Sequence, residues 1–586
     1  MYKKFFVLGF VLLQFTFSLI TANGNDKQVL ISERIYLNTD RKIYVAGENL
    51  LFNLYLLDIN SNSLANYPSI GYIVVRNKNG DVFGKSQVKI INGKAAGAIH
   101  LSDTLQSGYY HVVAYTNFMR NGSPDIFFKS EILIANRFDK DFFGLVSGQN
   151  SDSTSSLHAT ATVSPDIKKI NIITDKAAYS KREKASLKIN ITSPGIKLLD
   201  FSVSIVEKNL MEETFAAKAS LPKGRDSKGV FFDVSERNEN PIHMAEDKYA
   251  EIIGRLTDKN SGDPVGYQVL YLSSPDTINN FKYTVTNSRG YFRFPLSDYY
   301  NGKDVFIKVK QRDGESLDPK MEIDSKFKVE GSFTFDPLPI DSSVISYLKN
   351  SQNIVRIQKS FALIQSAFKP QQMTSSVPLL FRVPDFTVAP ADFVELKDFV
   401  EIAREILPSV KIRKRDDVYY AEILDWQKRM FMAPKPLIFF DGVLIDDISQ
   451  IIPYGTKDIK KVDVISSKWI VDHQVLEGVL SVNSHNNLWK NVTLNNNNLR
   501  IKAEDYYELP NLFQPNYSIV DVKSREPDFR QLLYWNPNGK ASPGNAATFE
   551  FFTSDYATSY LIKVTGISDK GEIVEGYSEI EVKDKL

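Results

Sequence analysis

Cysteine is absent from all 586 residues. The chain can therefore hold no disulfide framework, no cysteine-ligated metal, no thiol nucleophile and no lipid-bearing cysteine at a processed N-terminus. An excess of charge is missing too: 71 basic against 70 acidic residues leave a formal charge of +1. That balance argues against a nucleic-acid binder working through a basic surface. Beyond the N-terminal segment no apolar run reaches the ~20 residues that a membrane-crossing helix needs. Stability has to come from packed cores. With 43% hydrophobic and 12% aromatic residues, the chain has apolar surface for several ordinary domains, and its length suggests about four.

The N-terminus carries Lys3 and Lys4, then an apolar run from Phe5 to Leu19, then Ala22-Asn23-Gly24. Small residues thus stand where a signal peptidase reads, so residues 1–24 are expected to be a cleaved export signal, with the mature chain beginning at Asn25. From Glu33 to Ala135 short alternating runs recur ("LLFNLYLLDI", "GYIVVRN", "YYHVVAYTNF"), separated by turn signals such as Asn79-Gly80 and Asn92-Gly93. This spacing predicts an antiparallel sandwich of about seven strands, with Gly47 and Gly108 at changes of chain direction. Residues 147–164 form a Ser/Thr-rich tract with too little apolar surface to pack, and read as a linker. A second β-region follows ("KINIITDKAAYSKREKASLKINI", "LLDFSVSIVEKN"). A third begins near Tyr249 ("AEIIGRLTD", "GYQVLYLSS", "YTVTNSRGYFRFPL").

The pattern changes after Asp341. "DSSVISYLKNSQNIVRIQKSFALI" reads as helical, and residues 392–407 give the strongest helical signal. Leu396, Phe399, Val400, Ala403, Ile406 and Leu407 make one apolar stripe, Asp392 with Glu395 offers a capping-box-like start, and Pro408 stops the run. The strands "VYYAEIL", "PLIFFDG", "IKKVDVISS" and "GVLSVNS" supply the sheet that this helix needs to cover. Asp441-Gly442 in "PLIFFDGVLIDD" is a hairpin turn signal. A last β-unit runs from about Asp528 to the end. The expected division is 1–24 signal, 25–140 sandwich, 141–164 linker, 165–245 second β-domain, 246–335 third sandwich, 336–375 helical connector, 376–500 α/β unit and 501–586 C-terminal sandwich. The fold class is mainly β: tandem antiparallel sandwiches, a small α/β domain and a last sandwich.

Several apparent chemical motifs fail. Gly84-Lys85-Ser86 lacks the glycine five positions earlier that a phosphate loop needs, and its surroundings read as a strand. His100, His111, His158, His243, His473 and His485 form no HExxH and no close pair, so structural or surface roles are expected. No serine sits in GxSxG. Asp416-Asp417 and Asp446-Asp447 read as turns rather than acid/base dyads. "KIRKRDD" (Lys411 to Asp417) reads as a solvated loop edge, with an acidic or phosphate-bearing partner as the alternative. "LNNNNLR" (Leu494 to Arg500) is a polar tract without recognisable chemistry. The sequons at Asn121, Asn190, Asn491 and Asn516 bear only on a eukaryotic secretory pathway. No catalytic, cofactor-binding or metal residue is assigned.

"ERIYLNTDRKIYVAGENLLFNLYLLD" with "SGYYHVVAYTNFMRN" resembles the macroglobulin-type (alpha-2-macroglobulin-like) sandwich of large exported bacterial proteins. Tyr36, Asp40, Tyr44, Gly47, Glu48, Gly108, Tyr109, Tyr115, Thr116 and Asn117 carry the match. "TDKAAYSKRE" with "FSVSIVE" is similar to a later macroglobulin domain. "IIGRLTDKNSGDPVGYQVLYL" with "TNSRGYFRF" resembles the carboxypeptidase-regulatory-like sandwich, which positions other domains and has no peptidase activity. "PLIFFDGVLIDD", "IKKVDVISS" and "GVLSVNS" resemble the plug domain of TonB-dependent outer-membrane receptors, which fills a barrel of about 22 strands. About 100 residues follow Ser484, too few for such a barrel. The thioester of protease-trapping macroglobulins needs a cysteine. The resemblances together imply a non-catalytic scaffold or binding protein of a Gram-negative cell envelope, periplasmic or outer-membrane-associated. It would be an accessory of a transport or secretion complex, with an outer-membrane barrel or envelope complex as partner. It would use no cofactor, bind no nucleic acid and keep no transmembrane helix after signal removal. The competing reading is an envelope hydrolase whose carboxylates meet only on folding.

Overall fold

Alternating apolar and polar residues between Gly and Asn turns build three antiparallel β-sandwiches, and a sheet covered by one helix builds an α/β unit. The computed structural model describes residues 29–67, 69–136, 138–139, 169–210, 230–232, 243–247, 249–275, 281–311, 317–329, 331, 333, 342–360, 383–425, 428–431, 436–471, 474–506, 514–519 and 527–584. The expected signal and the Ser/Thr-rich linker lie outside these residues. Among the described residues no helix is long and apolar enough to cross a membrane.

The first sandwich has one sheet ordered Ile43–Val45, Phe128–Ala135, Gly108–Thr116, Ser69–Arg76, Val82–Ile90. Its facing sheet holds Glu33–Thr39, Asn49–Asp58, Ser63–Leu64 and Lys94–His100. Gly84-Lys85-Ser86 lies inside the strand Val82–Ile90. Tyr44, Phe52, Leu54, Ile73, Val75 and Ile99 fill the space between the sheets.

One device recurs in the first two sandwiches. Asp40 accepts from the Tyr44 hydroxyl (2.8 Å) and the Leu51 amide (2.9 Å), while Glu48 accepts from the Val45 amide (2.8 Å). In the second sandwich Asp175 accepts from Tyr179 (2.8 Å) and the Ser186 amide (2.6 Å), and Glu183 from the Ser180 amide (2.6 Å). The shared spacing Thr-Asp-x3-Tyr-x3-Glu pins a short strand that runs parallel to the last strand of its sheet, Ile43–Val45 on Phe128–Ala135 and Ala178–Ser180 on Ile573–Lys583. The residue before the glutamate turns left-handed in both copies: Gly47 at φ +94° and Arg182 at φ +56°. Gly108, by contrast, opens a strand and has free space where a Cβ would stand.

The C-terminal strands, expected to form a sandwich of their own, complete the second one. Leu199–Glu207 is buried along its whole length, so it needs neighbours on both edges, and residues 165–245 supply neither. Leu532–Ala541 and Ser559–Ser568 flank it, and Ala547–Phe552 pairs with Lys184–Ile191 in the facing sheet. Likewise Asn498–Lys502, expected at the end of the α/β unit, pairs with Asp304–Val309 and becomes an outer strand of the third sandwich. That sandwich sets Tyr291–Pro295, Glu251–Asp258 and Pro319–Ile323 against Lys282–Val285, Val269–Ser273, Asp304–Val309 and Asn498–Lys502.

The α/β unit carries a mixed sheet ordered Phe386–Val388, Ile459–Val471, Gln474–Ser484, Leu437–Phe440, Val443–Ile445. Its helix spans Phe399–Ile406 rather than 392–407. Residues before it are held by the loop at Thr456: the Leu396 carbonyl accepts the Thr456 amide (3.1 Å) and the Leu396 amide reaches the Thr456 hydroxyl (3.3 Å). The cap is Asp398, which accepts the Glu401 amide (2.9 Å), and Glu401 reaches back to the Lys397 amide (2.9 Å). Asp398→Ala is therefore expected to cost about 1 kcal/mol, read as a lower midpoint in denaturant unfolding, whereas Asp392→Ala should change little. Phe399, Ile402 and Ala403 cover one face of the sheet. The other face, through Phe439, Leu444, Ile465 and Val479, packs on Tyr271 and Phe281 of the third sandwich. The helix Ser342–Ser360 sets Leu348 against Ile43, Leu133, Val206 and Leu561, where the first two sandwiches meet.

Candidate functional site

Several of the buried charged side chains stand where the units meet. At the junction of the first and third sandwiches, Arg120 grips Asp324 with two bonds (2.6 and 2.9 Å). Burial raises the Asp324 carboxyl, but the Arg120 hydrogen bonds and charge outweigh it and hold the group below the usual carboxylate range. His243 stands 3.8 Å from Asp324; burial first, and Arg120 second, push its imidazole down to about 4. Beside it Glu246 pairs with Lys326 and accepts from the Tyr72 hydroxyl (2.6 Å) and the Glu251 amide (2.7 Å). Asn117 and Asn121 hold the backbone of this segment, donating to the Met244 carbonyl (2.9 Å) and the His243 carbonyl (2.6 Å).

A second polar junction lies between the first and second sandwiches. Lys42 bonds to Ser130, Lys563 donates to the Asn38 amide oxygen (3.0 Å), and the Asn38 nitrogen donates to Ser202 (3.0 Å). In the second sandwich itself, Arg530 forks onto Asp528 (2.8 Å) and Arg182 onto Asp555 (2.6 Å).

The residues singled out from sequence are dispersed among structural duties. Asp441 and Gly442 make the two-residue turn between Leu437–Phe440 and Val443–Ile445, at φ +48° and +86°. The Asp441 carboxylate also accepts from the Ser484 amide, the Ser484 hydroxyl (2.7 Å) and the Trp489 amide (3.1 Å). Asp416 and Asp417 are the left-handed turn residues (φ +49° and +62°) of the hairpin Val410–Arg415/Val418–Asp425. "KIRKR" is thus a strand rather than a loop edge. Within the hairpin Arg413 pairs with Glu422 (2.7 Å) and Lys414 with Asp417 (2.9 Å). Asp446 pairs with Lys308 of the third sandwich, while Asp447 caps the next turn through the Ser449 amide (2.8 Å). His100 meets Asn49 (2.9 Å) and His111 lies 3.7 Å from Glu131; His158 and His473 are outside the described residues.

Two surface depressions are shallow. One of about 250 Å³ is bordered by Lys259, Asp318, Lys320, Met321, Asn496 and Asn498, which gives the asparagine tract its place. It holds one carboxylate, not the pair that the hydrolase reading asks for. The other, about 360 Å³, is bordered by Phe138, Gln352, Asn353 and Arg356. Among the described residues no three His, Asp or Glu side chains converge as a metal site. Lys42, Lys326, Glu246 and Lys563 were not legible as a group. Lys563 alone carries a sequence signal, a charge inside the otherwise apolar strand "SYLIKVTGI".

No protein-family model matches the sequence, and the search of curated proteins returns no match. Among solved structures the chain is similar to Salmonella alpha-2-macroglobulin reacted with methylamine, at 9% identity and TM-score 0.24 over 94% of this chain and 40% of that one. It is similar to Escherichia coli alpha-2-macroglobulin activated by porcine elastase at 9% identity and TM-score 0.24, over 94% of this chain and 44% of that one. The Escherichia coli adhesin FdeC aligns at 11% identity and TM-score 0.13, over 50% of this chain and 64% of that one. The chain thus spans less than half the length of the two macroglobulins. At these scores the architecture rests on the strand pairing itself.

Proposed function

We propose that this chain is a non-catalytic scaffold of a Gram-negative cell envelope, whose plug-like α/β unit docks onto a separate outer-membrane or envelope complex. One observation carries the reading: Arg120 with Asp324, Tyr72 with Glu246, Lys563 with Asn38 and Lys308 with Asp446 are committed to joining units, not to lining a cleft. Such side chains fix the relative placement of modules, which is what a positioning protein requires. The export-type N-terminus, the macroglobulin-type and carboxypeptidase-regulatory-like patterns and the plug-like strand sequence support the compartment and the partner class.

The test is affinity capture of the tagged chain from native envelopes, read by mass spectrometry, beside a variant lacking residues 383–494. That boundary spares the strand Asn498–Lys502, and circular dichroism checks that the sandwiches persist. An outer-membrane barrel protein recovered with the full chain and lost with the variant is the expected result. Recovery of the same partners at the same yield would remove the docking role.

A further inference from the structure

Lysine is almost never fully buried without a carboxylate partner, yet two such lysines face one another across the junction of the first and second sandwiches. Lys42 is 7% exposed and Lys563 6%. Neither is held in an ion pair among the described residues; their bonds go to the neutral Ser130 hydroxyl and Asn38 amide. The charged and titratable groups around them come from every packed element. Glu131 lies on Phe128–Ala135, with His111 3.7 Å from it. Glu575, on Ile573–Lys583, accepts from Tyr36 (3.3 Å) and Tyr577 (3.3 Å). Asp40 faces Lys563, and Tyr55 adjoins Tyr36. Both carboxylates near Lys42 are thus engaged at a distance, and the two amines repel each other.

We propose that Lys42 and Lys563 form a proton-sensitive joint between the first and second sandwiches, closed while the pair carries at most one charge and loosened when both amines are protonated.

Burial first, and the Lys563 charge second, push the Lys42 amine from 10.5 down to about 7. Burial lowers Lys563 as well. In an opened joint each amine is hydrated and regains its ordinary proton affinity, so opening takes up protons wherever the open form holds one that the closed form lacks. For Lys42 that window runs from about 7 to 10.5. The joint therefore tightens as pH rises through the window and is weakest, without further change, below it. Acid does not trigger a new transition under pH 7; it removes the alkaline reinforcement.

Because the chain has no cysteine, Lys78→Cys and Pro543→Cys place one spin label on each sandwich of the full-length protein. The expected result is a broad inter-label distance distribution at about pH 6.5 that narrows at about pH 9.5. In Lys42→Met the distribution stays narrow at both pH values. In Lys42→Arg, which cannot lose its charge, the pair reaches one charge only when Lys563 gives up its proton, so the narrowing moves to higher pH than in the wild type. A wild-type distribution that does not change with pH overturns the joint, as does a pH response that survives in both Lys42→Met and Lys563→Met. Should Lys42→Met fail to fold, Lys563→Met and Lys42→Arg still decide the matter: the first stays narrow at both pH values, and the second narrows only above the wild-type transition.

Discussion

A Glu246→Leu chain is expected to melt well below the wild type, because about 3–5 kcal/mol is lost when one member of a buried ion pair is removed and the other stays behind. Glu246 has only 1% of its side chain exposed and Lys326 9%. Burial already lowers the Lys326 amine, with Glu246 the first influence opposing it. The substitution also strands the Tyr72 hydroxyl and the Glu251 amide, which both donate to Glu246. Three donors are then left in a closed space. The double variant Glu246→Leu/Lys326→Met removes the stranded charge and should recover more than half of the loss. Calorimetry of the first unfolding transition checks both. Equal melting of the single and double variants would show that the pair's charge contributes little.

Asp441→Ala should cost upward of about 4 kcal/mol within the α/β unit, since hydrogen bonds to a charged acceptor are each worth about 1.5–3 kcal/mol. Three such bonds are lost, from the Ser484 amide, the Ser484 hydroxyl and the Trp489 amide. Alanine also tolerates the left-handed backbone at φ +48° less well than aspartate. Asp441→Asn keeps the turn and one acceptor oxygen, and should cost less than half as much. Hydrogen exchange of the Leu437–Phe440 and Gln474–Ser484 strands reads the effect locally. A binding role for Asp441 would instead lower partner capture with protection unchanged.

What the sequence made legible was local. Asp441-Gly442 between alternating runs fixes its hairpin because left-handed turn chemistry and period-two alternation are written within ten residues. The stripe Leu396, Phe399, Ala403 revealed that a helix covers the sheet, but its start was misplaced. Asp392 with Glu395 and Asp398 with Glu401 satisfy the same capping rule, and only the Thr456 loop chooses between them. The partners of Leu199–Glu207 had no local signature: Ser202 donates to the Thr565 carbonyl 363 residues away. The same holds for Lys42 and Lys563. The charge of Lys563 in an apolar strand is visible in sequence, whereas Lys42, in the charged stretch Asp40-Arg41-Lys42, belongs to another unit.

The second sandwich is opened by residues 170–207 and closed by residues 532–583, so the third sandwich and the α/β unit are an excursion made in the middle of building it. Made in order at about 5–20 residues per second, the chain waits tens of seconds between the two halves. All that time Leu199–Glu207 presents a buried-type strand with both hydrogen-bonding edges vacant. A message interrupted anywhere in the excursion therefore yields no shorter version of the fold. It yields an adhesive edge that other chains can extend, and whatever escorts this protein to its destination must shield that strand until the last hairpin arrives.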